Sequence, residues 1–131
     1  MKSLLGACAL ACSLGLAASA AAQPRPKTQQ IDVVLTDFAF SPARLNLRQG
    51  QAYRLRFVNR GSGGHNFSAP GFFAAARIHP SDGSAIANGA VELGPSQSRI
   101  VSLVPAAGVY GVTCTHFLHA GFGMVGSITV N

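Results

Sequence analysis

Four side chains in this sequence have the right chemistry to bind one soft metal ion together. Cys114, His119 and Met124 follow one another at intervals of five residues, and they offer a thiolate, an imidazole and a thioether. Soft sulfur ligands favour copper, and two imidazoles and a thiolate in a plane, with a weak axial methionine, form the electron-transfer copper geometry. His65 can supply the second imidazole. The residue types therefore predict a mononuclear copper site formed by His65, Cys114, His119 and Met124.

Two further histidines compete for a place in this site. His116 lies only two residues after Cys114, and His79 precedes a proline in a turn-like segment. We assign the ligand to His119, because a spacing of five residues lets the loop fold over the metal. His116 is then expected to be a surface group, or a group that hydrogen-bonds near the site. His79 is expected to be an exposed turn residue.

Residues 1–22 have the pattern of a secretory signal peptide. Lys2 supplies a positive charge, residues 4–18 form an apolar run, and small residues precede Gln23. The run is too short for a comfortable membrane span. A lipoprotein is the alternative, because residues 5–8 loosely resemble a lipobox. We expect an exported, periplasmic protein that has no membrane span once the signal is removed.

Removal of this signal would leave Cys114 as the only cysteine, because Cys8 and Cys12 lie within it. A single cysteine cannot form an internal disulfide, and a spare thiol is a liability in an oxidising compartment. The alternative is a buried, inert cysteine that packs as a small apolar group. Metal ligation is the better interpretation, because His119 and Met124 follow at loop spacing.

The charge of the chain bears on its partners. Ten Lys and Arg residues against four Asp and Glu give a formal net charge of +6, which the loss of Lys2 would lower by one. The basic residues are dispersed along the chain, and no nucleic-acid-binding module accompanies them. The charge therefore argues against nucleic acid as a partner. It is consistent with solubility, or with attraction toward an acidic protein.

Short stretches of alternating apolar and polar residues predict an all-β fold. The clearest strand spans residues 53–59, and the alternation from 31 to 40 runs through Phe38. A helical turn is expected near Phe72, whereas residues 85–95 are predicted to be irregular. Many short strands separated by Gly and Pro turns are typical of a β-sandwich or a barrel.

The sequence resembles the cupredoxins, the blue copper family that includes plastocyanin and azurin. The resemblance lies in the Cys-x4-His-x4-Met loop at 114–124, in His65-Asn66-Phe67, and in the alternating approach from Gly108 to Cys114. It implies a Greek-key β-sandwich of about eight strands over residues 31–131. A disordered N-terminal arm at 23–30 is expected to precede it.

The resemblance also implies roles for residues around the metal. In similar cupredoxins an Asn side chain ties the two ligand-bearing loops together, and a backbone N–H beside it donates to the Cys sulfur. Asn66 and Thr115 take these outer positions. The edge of His119 is expected to reach the surface through an apolar rim that includes Phe117 and Phe122, where redox partners would dock.

These features predict an exported, monomeric electron carrier with one copper ion, passing single electrons between redox proteins. We expect no enzymatic activity, because the four ligands leave no open coordination position. The alternative is a periplasmic copper-binding protein in copper handling or resistance, and a third possibility is an accessory domain of an oxidase. Fold alone does not separate these functions. The Met-rich or His-rich tracts expected of copper storage are absent after the signal.

Overall fold

The computed structural model describes residue 15, residues 17–24 and residues 27–131. These residues form ten β-strands, the α-helix α1 (Pro70–Ala75) and a 3₁₀ helix at Pro80–Ala85. The strands are β1 (Gln29–Thr36), β2 (Ala39–Ser41), β3 (Arg44–Leu47), β4 (Tyr53–Asn59), β5 (His65–Ser68), β6 (Arg77–Ile78), β7 (Ala90–Leu93), β8 (Ser98–Val104), β9 (Gly108–Thr113) and β10 (Val125–Val130).

The strands form two five-stranded sheets, in the orders β2-β1-β4-β8-β6 and β3-β10-β9-β5-β7. β1 pairs in parallel with β4, and β3 pairs in parallel with β10. The other neighbours are antiparallel. The predicted all-β sandwich is confirmed. The described residues contain more strands than the eight or so expected, because β2 and β6, of three and two residues, are too short to show a readable alternation.

The core lies between the sheets and follows from the alternation of side chains along each strand. In β4, Tyr53, Leu55 and Phe57 are buried, whereas Arg54 is exposed. Phe67 of β5 packs against Phe57, with ring centroids 4.7 Å apart. This contact joins one sheet to the other.

The helical turn expected near Phe72 is present as α1. Proline stands at its start, where the missing N–H costs no intrahelical hydrogen bond. Phe72 and Phe73 are its buried residues. The helix therefore seals one side of the core with two aromatic rings.

The segment 85–95 is not irregular, contrary to the prediction, because Ala90–Leu93 forms β7. This strand pairs antiparallel with β5, and places Leu93 opposite His65 and Glu92 opposite Asn66. Only two side chains of this strand, Val91 and Leu93, are buried in the core. Two alternating apolar residues are too few to identify a strand from sequence. β7 therefore lies beside a candidate ligand.

The prediction of one strand running through Phe38 is also wrong. β1 ends at Thr36, and Phe38 has a φ of 67°, in the left-handed region that residues other than glycine adopt rarely. Asp37 and Phe38 form the turn before β2 instead. Hydrogen bonds from another loop stabilise the turn, since Asp37 accepts from both the backbone N–H and the hydroxyl of Ser62.

Most of the predicted signal peptide at 1–22, with Cys8 and Cys12, lies outside the described residues. β1 begins at Gln29, two residues before the predicted start of the domain. Among the residues that the structure describes, no helix is both long and apolar enough to cross a membrane.

Asp82 fixes the 3₁₀ helix to β8 and provides a test of stability against pH. Its Oδ2 accepts a hydrogen bond from the Ser102 N–H at 2.8 Å, and this bond holds the pKa of Asp82 below its ordinary value of 3.8. A depressed carboxyl pKa contributes stability that is fully present above the unfolded-state pKa and is lost as pH falls through the folded-state value. We expect Asp82→Asn to lower the free energy of unfolding by roughly 1 kcal/mol at pH 7.

Urea unfolding across pH measures this effect. The difference between Asp82→Asn and the wild type should shrink as pH falls below about 4. Ser81→Ala removes a weaker bond to the same carboxylate at 3.3 Å, and also the contact of the Ser81 hydroxyl with His79 Nδ1 at 2.7 Å. Its change in stability between about pH 4 and pH 2.5 is therefore the quantity to compare with that of Asp82→Asn, and it should be the smaller of the two. A difference that stays constant from pH 7 to about pH 2.5 would show that the ionised carboxylate contributes nothing.

Candidate metal centre

Three donor atoms from distant parts of the chain meet at one end of the sandwich. Nδ1 of His65 lies 3.1 Å from Nδ1 of His119 and 4.0 Å from Sγ of Cys114, and His119 Nδ1 lies 3.4 Å from that sulfur. Planar ligation with bonds of about 2.0 Å to nitrogen and 2.3 Å to sulfur separates such atoms by about 3.5–3.7 Å. The three donors therefore fit around one metal ion.

His65 is the first residue of β5, and only 1% of it is exposed. The loop 60–64 before it is held by Asn59, whose side-chain N–H group donates to the carbonyls of Gly63 at 2.9 Å and Leu93 at 3.1 Å. Sequence reasoning did not single out Asn59. Its one signal is that it continues the buried alternation of β4 with a polar residue.

Backbone hydrogen bonds close the loop that carries the other candidate ligands. The Cys114 N–H donates to the Met124 carbonyl at 3.1 Å, and the Met124 N–H donates to the His119 carbonyl at 3.0 Å. Cys114 and Met124 are buried, with 1% and 0% exposed. The main chain thus fixes these three residues relative to one another.

Asn66 connects the two ligand-bearing segments. Its side-chain N–H donates to the Thr115 hydroxyl at 2.6 Å, and its Oδ1 accepts from the Thr115 N–H at 2.9 Å. The Asn66 backbone N–H points to Sγ of Cys114 at 3.5 Å. Such outer contacts orient metal ligands and hold them in place.

The far side of the His65 ring contacts a carboxylate that sequence analysis missed. His65 Nε2 lies 3.0 Å from Oδ1 of Asp37. A carboxylate accepts hydrogen bonds, so Nε2 carries the proton and the lone pair is left on Nδ1, which faces the other donors. The bond from His65 and two bonds from Ser62 lower the pKa of Asp37 below its ordinary value. No motif marks Asp37, because the contact exists only once the β1–β2 turn is folded.

His119 is the candidate ligand that lies nearest the surface. Loss of water around its ring, followed by the charges of His65 and His116, lowers its pKa below the ordinary 6.5. The neutral imidazole is the form that binds metal. The ring of Phe38 meets it edge-on at 5.2 Å. Phe38 is thus a further neighbour of the site that sequence reasoning assigned to a strand.

His116 lies outside the donor triangle. Its Nε2 is bonded to Oε1 of Glu92 on β7, and its ring stacks on His119 with centroids 5.5 Å apart. His79 is remote from the donors and bonds to Ser81 in its own turn. The structure therefore brings His119, and not His116, together with His65 and Cys114.

Exposed apolar side chains near His119, in its own loop and in the turn after β1, form an apolar rim. We define it as Phe38, Phe117, Leu118 and Phe122, all of which are exposed. Phe117 is 87% exposed and Phe122 is 65% exposed. Phe122 packs on Phe38, with centroids 5.1 Å apart. Grouped exposed apolar side chains of this kind mark interaction sites.

The chain belongs to the cupredoxin-like domain family, whose model matches residues 6–130. No curated protein is significantly similar to it. Its fold is similar to that of three solved auracyanins, two of which come from photosynthetic bacteria. The auracyanin of the photosynthetic bacterium Roseiflexus castenholzii is 20% identical, with a TM-score of 0.58 over 79% of this chain and 97% of that one.

Two further auracyanins agree with this match. Auracyanin B is 25% identical, with a TM-score of 0.58 over 86% of this chain and 95% of that one. Auracyanin A, described as a blue copper protein from Chloroflexus aurantiacus, is 21% identical, with a TM-score of 0.57 over 80% of this chain and 100% of that one.

A multicopper oxidase from Campylobacter jejuni is 11% identical, with a TM-score of 0.60 over 83% of this chain but only 31% of the oxidase. Family and donor set together identify one copper ion as the cofactor.

Proposed function

We propose that this protein is an exported mononuclear copper protein that carries single electrons between redox partners. The main support is the donor triangle, in which two Nδ1 atoms and one Sγ lie 3.1–4.0 Å apart. His65, Cys114 and His119 would hold the copper, and the thioether of Met124 would be the weakest of the four ligands. Bound copper supplies the chemistry, which is the gain and loss of one electron.

The contribution of the protein is rigidity. Cys114 lies directly after β9, and a main-chain hydrogen bond connects it to Met124. Its sulfur accepts from the Asn66 backbone N–H. His65 is fixed on one side by β5 and on the other by Asp37. Ligands that barely move between the two copper oxidation states make electron transfer fast.

The arrangement favours a carrier over an enzyme. Four donors would fill the coordination positions, and His65, Cys114 and Met124 are buried. His119 alone of the four is partly exposed, and the apolar rim lies near it. This geometry provides a short path for an electron, and it leaves no open position for a substrate at the metal.

The proposed partner is another redox protein that docks on the apolar rim, and the protein acts as a monomer. The excess of basic residues favours an acidic partner. The predicted signal peptide at 1–22, which precedes the domain that begins with β1 at Gln29, supports export to the periplasm. An electron carrier there would meet its donor and acceptor by diffusion.

A charge placed on the rim should slow electron exchange without changing the copper site. We expect Phe117→Glu to reduce the second-order rate of electron exchange about tenfold or more, because the apolar contact with the partner is lost. The visible spectrum should stay as in the wild type, since Phe117 is 87% exposed. Phe122→Glu should have the same effect, with some loss of the Phe38 packing.

Val109→Glu is the matched control for the rim. Val109 is also an exposed apolar residue, at 78%, but it lies near the start of β9, about 16 Å along the strand from Cys114. It receives the same charge away from the metal. Equal rates of electron exchange in Phe117→Glu and Val109→Glu would show that the apolar rim is not the docking surface.

Repeated reduction and oxidation separates the carrier from the copper-handling alternative. A carrier should cycle many times and keep its copper in the presence of a competing Cu(I) chelator. A copper-handling protein should transfer Cu(I) to the chelator on reduction. Loss of copper in the first cycles would contradict the proposed function.

A further inference from the structure

The carboxylate of Asp37 contacts the candidate ligand His65 and Ser62, a residue of the loop just before that ligand. Oδ1 lies 3.0 Å from Nε2 of His65, a ring that is 1% exposed. The same Oδ1 accepts from the Ser62 N–H at 3.0 Å, and Oδ2 accepts from the Ser62 hydroxyl at 2.8 Å. The carboxylate is therefore held from the loop that leads into His65, and its orientation toward the ring is fixed.

Gly61 leaves space for the contact between His65 and Asp37, because it has no side chain. A Cβ on Gly61 would lie 2.5 Å from His65 Nε2 and 2.6 Å from Asp37 Oδ1, closer than real Cβ contacts come. The Gly61 N–H is itself anchored to Oδ1 of Asn59 at 2.9 Å. Glycine at position 61 is thus required by the pair, and this is an observation independent of the Asp37 hydrogen bonds.

The distribution of acidic groups adds to the case. The chain has four acidic residues, and two of them, Asp37 and Glu92, contact imidazoles at the metal centre. Asp32 pairs with Arg56 at 3.2 Å on the outer face of the sheet. In a chain with ten basic residues, a carboxylate fixed behind a buried ligand ring is not explained by solubility.

We propose that Asp37 is a positioning residue that fixes His65 with its proton on Nε2 and lowers the reduction potential of the copper. A carboxylate that accepts from a ligand imidazole sets its tautomer and raises its basicity. A negative charge behind the ring stabilises Cu(II) more than Cu(I). The inference depends on the proposed function, because it assumes that copper binds Nδ1 of His65.

Three variants separate charge, hydrogen bond and geometry. Asp37→Asn removes the charge but keeps an acceptor oxygen, Asp37→Ala removes both, and Gly61→Ala forces the pair apart while keeping the charge on the chain. Asp32→Asn is the matched control. It removes an equal charge from β1, five residues before Asp37 and roughly 16 Å away along the strand direction.

Three measurements apply to each variant: the reduction potential, the Cu(II) affinity, and, in the diamagnetic Cu(I) form, the exchange of the His65 Nε2 proton seen by NMR. We expect Asp37→Ala to lose Cu(II) affinity about 10- to 100-fold and to exchange this proton faster. Asp37→Asn should raise the Cu(I)-to-Cu(II) ratio at a fixed ambient potential about threefold or more, as expected for the loss of one nearby charge. Asp32→Asn should leave all three as in the wild type.

The outcomes distinguish this inference from the function on which it depends. A visible thiolate–copper band in all variants, with the same potential in Asp37→Asn as in Asp32→Asn and no faster exchange in Asp37→Ala or Gly61→Ala, would overturn the role of Asp37 alone. Absence of the band in the wild type would overturn the proposed function instead. A raised potential with faster proton exchange in Gly61→Ala supports the inference even if Asp37→Ala fails to fold.

Discussion

Replacement of Cys114 by serine is expected to abolish the intense visible absorption of the copper-loaded protein. The band arises from charge transfer between a thiolate and Cu(II), and Cys114 is the free cysteine among the described residues. Cu(II) affinity should fall by more than the 10- to 100-fold that accompanies the loss of an outer contact, because a ligand is removed. Absorption spectroscopy and competition with a Cu(II) chelator measure both effects.

The fold should survive this substitution. Serine is similar in size to cysteine and can still accept the Asn66 N–H, so the apoprotein should lose no more than about 1 kcal/mol of stability. Cys114→Ala, which cannot ligate at all, is the companion variant. If Cys114 only packs in the core, both variants would lose stability and keep the copper spectrum of the wild type.

The second large effect distinguishes the two loop histidines. His119→Ala should change the spectrum strongly and open a coordination position, because the Nδ1 atom removed lies 3.1 Å from His65 Nδ1 and 3.4 Å from Cys114 Sγ. Added imidazole should enter that position and restore part of the original spectrum. His116→Ala should keep the thiolate band, since its Nε2 is bonded to Glu92.

The effect of His116→Ala on affinity should be modest. Its loss removes a contact between the ligand loop and β7, so Cu(II) affinity should fall by no more than about 10-fold, with a small shift in potential. Glu92→Gln is the control that alters the same contact from the other side. If His116→Ala loses the band and is rescued by imidazole, while His119→Ala keeps it, the assignment of the loop is wrong.

The parts of the site that sequence could predict are those set by local spacing. Cys114, His119 and Met124 lie in one short loop, and their donor atoms identify the metal without knowledge of the fold. His65 was a less direct prediction, because it lies 49 residues before Cys114 and only the folded sandwich brings the two side chains together. The alternation around residues 53–59 likewise predicted β4, because a buried face with a period of two is a local property.

The contacts that surround these ligands depend on tertiary register. Asp37 reaches His65 only because β1 stops at Thr36 and a left-handed Phe38 turns the chain. The alternation that continued through Phe38 concealed that turn. Glu92 reaches His116 only because a four-residue strand, β7, pairs with β5. Neither residue has a motif, so only the folded chain shows that it lies at the metal centre.

Titration of the protein after removal of the predicted signal peptide with Cu(II), followed by visible absorption, tests the central claim most directly. One ion held by His65, Cys114, His119 and Met124 should give an intense thiolate-to-Cu(II) band that grows to one equivalent and then stays constant. A colourless complex, or binding that continues well beyond one copper per chain, would contradict the account.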